Sequence, residues 1–445
     1  MAIASVNPAT GETVKTFEAF DPGRVEGVLA RAFEQAKERT DRTAGLRKAA
    51  DLLDQRKDEL AGLMTLEMGK PIKQARAEIE KCAWVCRHYA EHAAGYLAPE
   101  RIESDAKHSE VRFQPLGVVL AVMPWNFPYC QVFGFAAPAI AAGNVGVLKH
   151  ASSVPQCALA IESVLQGAGL PFHTLLVEAK RIAKLVEDPR IAAATLTGSD
   201  GAGRSLGEAA GRNLKKLVLE LGGSDPFIVL PSADLDKAVQ VAVTARNQNA
   251  GQSCIAAKRF ILHERIAGAF EQKFVAAVSK LKVGDPRDEN TEVGPLASEQ
   301  GLLDIDKQVK QAIEQGARKA CGGERIGQKG FFYAPTVLLQ AEKTVVWTDE
   351  TFGPVAAVVR AKDIDHAIAL ANDTRFGLGA AAFTTDAADI ARLTDRLQAG
   401  SVFINGMVKS DPRLPFGGIK ESGYGRELSR EGIREFVNVK TVWVA

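Results

Sequence analysis

The chain has 445 residues, 46% of them hydrophobic and 24% charged, with 55 basic residues against 54 acidic ones. That length suits two or three globular domains rather than one core. The near-zero charge balance offers no electrostatic footprint for nucleic acid or an anionic membrane surface, so the partner to expect is a small molecule.

The opening ten residues have no basic stretch followed by an apolar one, as a secretory signal would. Residues 24–96 are rich in Ala, Leu, Glu, Lys and Arg, and Leu46, Ala49, Ala50, Leu53 and Leu60 recur with helical spacing. The pattern predicts amphipathic surface helices with solvated charges. Cys82 and Cys86, four residues apart, then share one helix face. Packing accounts for them better than a metal does, because no His stands at ligand spacing.

Residues 110–114 and 118–123 read as strands, with Pro115 and Gly117 between them. Strands and helices alternate from there. Helices are expected at 129–142 and 155–167, and strands at 145–149, 175–177, 193–197 and 217–219. A second alternating series covers 227–408. This is the signature of an α/β protein with mainly parallel sheets. The longest apolar tract, 133–148, is interrupted by Pro138, Gly143 and Asn144 and is too short to span a bilayer. The tail, 436–444, is strand-like with no neighbour to pair with. Six scattered cysteines suggest no disulfide framework, and a cytoplasmic location is expected.

In open α/β sheets ligands collect beyond the C-terminal ends of strands. Residues 195–203, TLTGSDGAG, run from a strand through a glycine-rich turn toward a helix. Their glycines miss the G-x-G-x-x-G spacing, so taken alone they fit a phosphate site or a plain tight turn. Lys149 directly follows a strand, where it suits a ribose or a phosphate, or is simply exposed. No acidic residue stands between it and Ser152, which favours a 2′-phosphorylated ribose.

Cys254 ends the small-residue run NAGQSC, and Glu220 sits in LELGGSDPF. An enzyme that forms a thioester and hydrolyses it needs a thiolate to attack and a base to activate water. Taken singly, a cysteine is more often a small buried hydrophobe than a catalyst.

The pieces in this order resemble the aldehyde dehydrogenase superfamily, most of all its succinate-semialdehyde dehydrogenase branch. The motifs are MPWNFP (123–128), LKHAS (148–152), LTGS (196–199), LELGGSDPF (219–227) and GQSC (251–254). ETFGPV (350–355), NDTRFGLG (372–379) and PFGGIKESGYGRE (415–427) complete the set. The resemblance implies a Rossmann-like dinucleotide-binding domain (1–97 and 115–221) and a catalytic domain (222–425). It also implies an oligomerisation arm (98–114 and 426–445) that pairs across subunits in a homodimer or homotetramer. Cys254 is then the nucleophile, Glu220 the base, and Asn126 with the Cys254 N–H the oxyanion hole. Trp125, Asn126, Lys149, His150, Ala151, Ser152, Gly198, Ser199, Leu221, Glu350 and Phe352 are expected around the cofactor. Ser152 stands where NAD-preferring relatives commonly carry Glu, so NADP is the expected cofactor, with NAD use possible.

The chain departs from the branch at Gly134, where an Arg usually binds the substrate's distal carboxylate, and at Cys130, where a bulkier side chain is usual. Helical spacing places Asn126, Cys130 and Gly134 on one face. Both changes are expected to widen the tunnel to Cys254, with Ser253, Ser410 and Arg413 as partial substitutes for the anchor. The alternative expectation is therefore a larger or neutral aldehyde. Two rivals use the same fold: a CoA-acylating dehydrogenase, which characteristically lacks the carboxylate present here as Glu220, and a non-catalytic dinucleotide-binding protein. Residues 38–46 and 169–173 look short against the family, and residues 255–257 offer no second cysteine beside Cys254.

Overall fold

The computed structural model describes residues 3–38 and 40–445. Arg39, within the segment 38–46, lies outside them.

Helix Thr43–Gln55 shows how the N-terminal third folds. Its Leu46, Ala49, Ala50 and Leu53 form one fully buried stripe, as a 3.6-residue period requires. Helix Ile72–Tyr96 departs from the surface helix expected. Cys82, Ala83, Cys86 and Tyr89 are completely buried along it, because it lies beneath helix Cys130–Ala141 and helix Ser429–Arg434. Nor are all its charges solvated. Glu78 pairs with Lys70, the two side chains being 2% and 1% exposed, and accepts hydrogen bonds from the Tyr129 and Cys130 N–H groups, both at 3.0 Å. A carboxylate thus satisfies the free N–H groups opening helix Cys130–Ala141, where the helix dipole also favours negative charge.

That helix starts at Cys130, so Asn126 lies in the loop before it and does not share its face. Cys130 and Gly134 do share one. The strand expected at 175–177 is instead Phe172–Thr174, an edge strand paired with 146–148. Leu175, Leu176 and Val177 are buried in a non-strand connection; a short apolar run marks burial without fixing conformation.

The first sheet has six strands in the order Gly423–Tyr424, Lys216–Glu220, Ile191–Thr197, Val118–Met123, Val145–His150, Phe172–Thr174. All pairings are parallel except that of Gly423–Tyr424. From Val118–Met123 the chain winds outward to one edge and then returns to build the other. The order therefore reverses beside that strand, and this switch point opens a crevice at the strands' C-terminal ends. Residues 124–126, 151–152, 198–199 and 221 all lie just past those ends.

The second sheet has seven strands: Arg318–Cys321, Thr336–Leu339, Val355–Ala361, Ala257–His263, Asp225–Val229, Gly379–Phe383, Ser401–Ile404. Only Arg318–Cys321 runs antiparallel to its neighbour. Gly423–Tyr424 falls within the expected catalytic segment yet pairs with the first sheet. The tail strand Val437–Val444 finds its partner far away in sequence, at His108–Pro115, in a three-stranded sheet with Glu100–Arg101. Among the described residues no helix is long and apolar enough to cross a membrane.

Candidate active site

Cys254 lies between the two large sheets, in a loop held in an unusual backbone. Asn249 and Ala250 adopt left-handed conformations (φ 55° and 52°) and Gly251 follows at φ 72°. A Cβ on Gly251 would stand 2.3 Å from the Gly353 carbonyl oxygen, so this position requires glycine on both counts. Non-glycine residues at positive φ cost about 1–2 kcal/mol each, and buried cations stabilise the loop against that strain. Arg246, fully buried, donates to the Gly251, Gly353 and Ala257 carbonyls at 2.7, 2.8 and 3.2 Å. Lys258, also fully buried, donates to the Ser253 and Cys254 carbonyls at 2.8 and 2.7 Å and pairs with Glu350 at 3.2 Å.

Burial pushes the Cys254 thiol up to about 12, and the Lys258 ammonium is the group that opposes the shift. The Gly222–Gly223 turn admits this arrangement. A Cβ on Gly223 would lie 2.6 Å from the Cys254 carbonyl oxygen, and one on Gly222 would lie 2.6 Å from Glu350 Oε2. Asn126 is buried beside the loop. Its Nδ2 donates to the Gln252 carbonyl at 3.1 Å, while Asn249 Nδ2 holds the Asn126 carbonyl at 2.8 Å. One Asn126 amide hydrogen remains for another acceptor.

Cys254 opens onto a cavity of about 420 Å³ that Cys130, Gly134, Ser253 and Ser410 also line. Arg413 does not line it; its guanidinium is turned onto Asp411, with bonds of 2.9 and 2.6 Å. Glu220, at the end of strand Lys216–Glu220, is buried with both carboxyl oxygens lacking a hydrogen-bond partner. Its carboxyl rests against Gly417, and burial, then the nearby Glu427, raises it well above the usual carboxylate range. Glu427 does line the cavity. Burial raises it to about 7, and its Oε2 would lie 3.6 Å from a Cβ on Gly134.

The expected cofactor positions gather at the first sheet's switch point. Lys149 ends as a buried ammonium with no ion-pair or hydrogen-bond partner among the described residues, its charge disfavoured by desolvation. Ser152, partly exposed, anchors the N-terminal strand through its carbonyl, 3.1 Å from the Ala4 nitrogen. Ser199 caps helix Asp200–Arg212, accepting from the Ala202 N–H, so that helix points its N-terminus into the crevice. Leu221 packs beneath Gly203 of the same helix. Trp125 and Phe352 meet edge to face at 5.7 Å. His150 does not offer its ring to a ligand. Nε2 bonds the Pro128 carbonyl and Nδ1 accepts from the Ala151 N–H, both at 2.9 Å, which fixes the neutral tautomer and ties down the 124–129 loop. An unpaired buried cation beside a residue without a carboxylate fits a phosphorylated ribose.

Sequence reading passed over Lys81, Arg246, Lys258 and Glu427. Glu427 closed a quoted motif, and Lys258–Arg259 was a charged pair entering an apolar strand. Nothing in their spacing revealed that these side chains turn inward.

The chain matches the aldehyde dehydrogenase family over residues 1–442. It is 56% identical, over the full length of both chains, to the probable succinate-semialdehyde dehydrogenase [NADP(+)] of Synechocystis sp.. It is 54% identical, again over both full lengths, to succinate-semialdehyde dehydrogenase [NADP(+)] 1 of Mycobacterium tuberculosis. The crystal structure of Streptococcus pyogenes succinic semialdehyde dehydrogenase in complex with NADP+ superposes with a TM-score of 0.97 at 36% identity, covering 99% of each chain. This chain belongs to the aldehyde dehydrogenase family.

Proposed function

We propose that this protein oxidises succinic semialdehyde to succinate with NADP as the preferred cofactor. The observation that carries the substrate is the 54–56% identity along the whole chain to relatives bearing that activity in their names. The unpaired Lys149 beside Ser152 supports the choice of NADP, since no carboxylate there repels a 2′-phosphate.

Cys254 releases its proton to solvent and attacks the aldehyde carbon as the thiolate; the C–S bond forms as the carbonyl π pair moves onto oxygen. The alkoxide is stabilised by the free Asn126 amide hydrogen and the Cys254 N–H, donors preorganised by the Asn249 and Lys258 contacts. A dinucleotide held in the switch-point crevice by Lys149 and the N-terminus of helix Asp200–Arg212 would supply the hydride acceptor. Glu220 then takes a proton from water as the water attacks the thioester, and the Cys254 thiolate leaves. A carboxyl raised by burial is a better base near neutral pH than an ordinary one.

Glu220 argues against release of the acyl group to CoA. A second reading, a larger or neutral aldehyde, is favoured by the missing side chain at Gly134 and the size of the cavity. NADP reduction with succinic semialdehyde, butanal, hexanal and benzaldehyde, repeated with NAD, tests both. Succinic semialdehyde with NADP is expected to lead in kcat/KM; a neutral aldehyde in first place overturns the substrate.

The strand Val437–Val444 exposes Val439, Trp443 and Val444, and the arm it forms is our proposed route to a homodimer or homotetramer. Six free thiols fit work in the reducing cytoplasm.

A further inference from the structure

The cavity in front of Cys254 contains two lysines that no catalytic step uses. Lys81, on helix Ile72–Tyr96, is half-buried and gives its ammonium to Ser410 Oγ. Lys409, next to Ser410, stands exposed at the mouth. Neither forms an ion pair among the described residues.

The two carboxyls in the same wall leave these charges uncancelled. Glu78 is engaged by Lys70 and by the Tyr129 and Cys130 N–H groups. Glu427 is buried, has no hydrogen-bond partner for Oε1, and is shifted by burial toward its neutral form. Lys81 is the charge that draws it the other way. Gly134, facing Glu427, contributes no side chain at all. Any positive charge available to a ligand inside the cavity must therefore come from the Lys81 side.

We propose that Lys81, bridged by Ser410, is the anchor for the distal carboxylate of a short semialdehyde acid and so sets the selectivity of the Cys254 site. The inference rests on the substrate reading above and names the residues that carry it out in place of a side chain at Gly134. An ammonium has three donors; one serves Ser410, leaving two for a carboxylate. The Ser410 hydroxyl accepts from Lys81 and keeps its own hydrogen to donate. Half-burial strengthens such a pair beyond a solvent-exposed one. Lys409 at the rim adds attraction on approach rather than a fixed contact.

The alternative role for Lys81 is to hold Glu427 in its ionised form, which would affect every aldehyde alike. The experiment separates the two by measuring kcat/KM for succinic semialdehyde and for butanal, of equal chain length without the carboxylate, in wild type, K81M, K81R and S410A. A hydrogen bond to a charged group corresponds to about 10- to 150-fold in binding. K81M is expected to lower the succinic semialdehyde to butanal ratio by at least tenfold, mainly through KM, with K81R recovering part of it. S410A, a milder change that serves if K81M fails to fold, is expected to lower the ratio about threefold.

Equal losses on both substrates would assign Lys81 to Glu427 and overturn the anchor. So would an unchanged ratio in K81M and S410A alongside a wild type that still prefers succinic semialdehyde, and the substrate reading would then stand alone. A wild type with no such preference removes both.

Discussion

Replacing Lys258 by Met should disarm Cys254 while leaving the protein folded. The Lys258 ammonium lies 2.7 Å from the Cys254 carbonyl oxygen, so covalent geometry keeps it within about 8 Å of the same residue's sulfur. At an effective dielectric near 20, a unit charge at about 8 Å changes the free energy of thiol ionisation by about 2 kcal/mol. That is about 1.5 pKa units, or roughly 30-fold in thiolate at a fixed pH below the pKa. Glu350, 3.2 Å from the ammonium, opposes part of this, so a loss of at least about tenfold is the expectation. Stability should also fall, though less than for a wholly buried pair: Met sheds the desolvation cost that lowers the Lys258 pKa, but leaves two carbonyls and the partly exposed Glu350 carboxylate without their donor.

The assay is the pH dependence of inactivation by iodoacetamide, with peptide mapping to separate Cys254 from Cys130, which opens on the same cavity. K258M should be alkylated at Cys254 at least about tenfold more slowly at pH 8, with its rate rising at higher pH than in wild type. An unchanged or faster rate in a folded variant would refute the reasoning, and the source of thiolate would have to be sought in the bound cofactor.

Gly251→Ala should cut kcat by about a hundredfold or more, because its Cβ meets the Gly353 carbonyl at 2.3 Å and must displace the nucleophile's loop; crystal structures and initial rates check it. Ser152→Glu should raise KM for NADP about ten- to a hundredfold and spare NAD, by placing a carboxylate near the Lys149 ammonium; an unaltered NADP/NAD ratio contradicts the placement. Lys70→Met should leave the buried Glu78 carboxyl uncompensated at a cost of about 3–5 kcal/mol, seen as a fall in denaturant midpoint. Glu427 is raised from 4.5 to about 7, so the folded chain holds that proton more tightly than the unfolded one. Its contribution to stability is complete below about pH 4.5 and is lost as the pH climbs through about 7. Glu427→Gln should therefore flatten the decline in unfolding free energy across that window.

What could be read from the chain alone follows the range of the interactions involved. Strand–turn–helix units such as 191–212 are local, and apolar runs with glycine punctuation announce them. Cys254, Glu220 and Asn126 stood out because uncommon chemistry in a small-residue setting is visible at short range. The tail strand is different. Its pairing with His108–Pro115 spans more than 300 residues, so no local pattern named its partner, and only the resemblance to a family did.

The inward-facing charges were the hardest to see, and for one reason. Sequence periodicity separates apolar from polar faces, so a lysine is assigned to solvent unless something says otherwise. Lys70, Lys81 and Lys258 break that rule in graded fashion. Lys70 neutralises a buried carboxylate that caps the next helix, Lys258 holds two carbonyls of the Cys254 loop, and Lys81 bonds only a serine. The first two are fully buried and each is paired with a carboxylate of the protein itself. Lys81 retains unused donors in a cavity with no side chain at Gly134, which makes it, rather than Arg413 closed onto Asp411, the proposed point of substrate recognition.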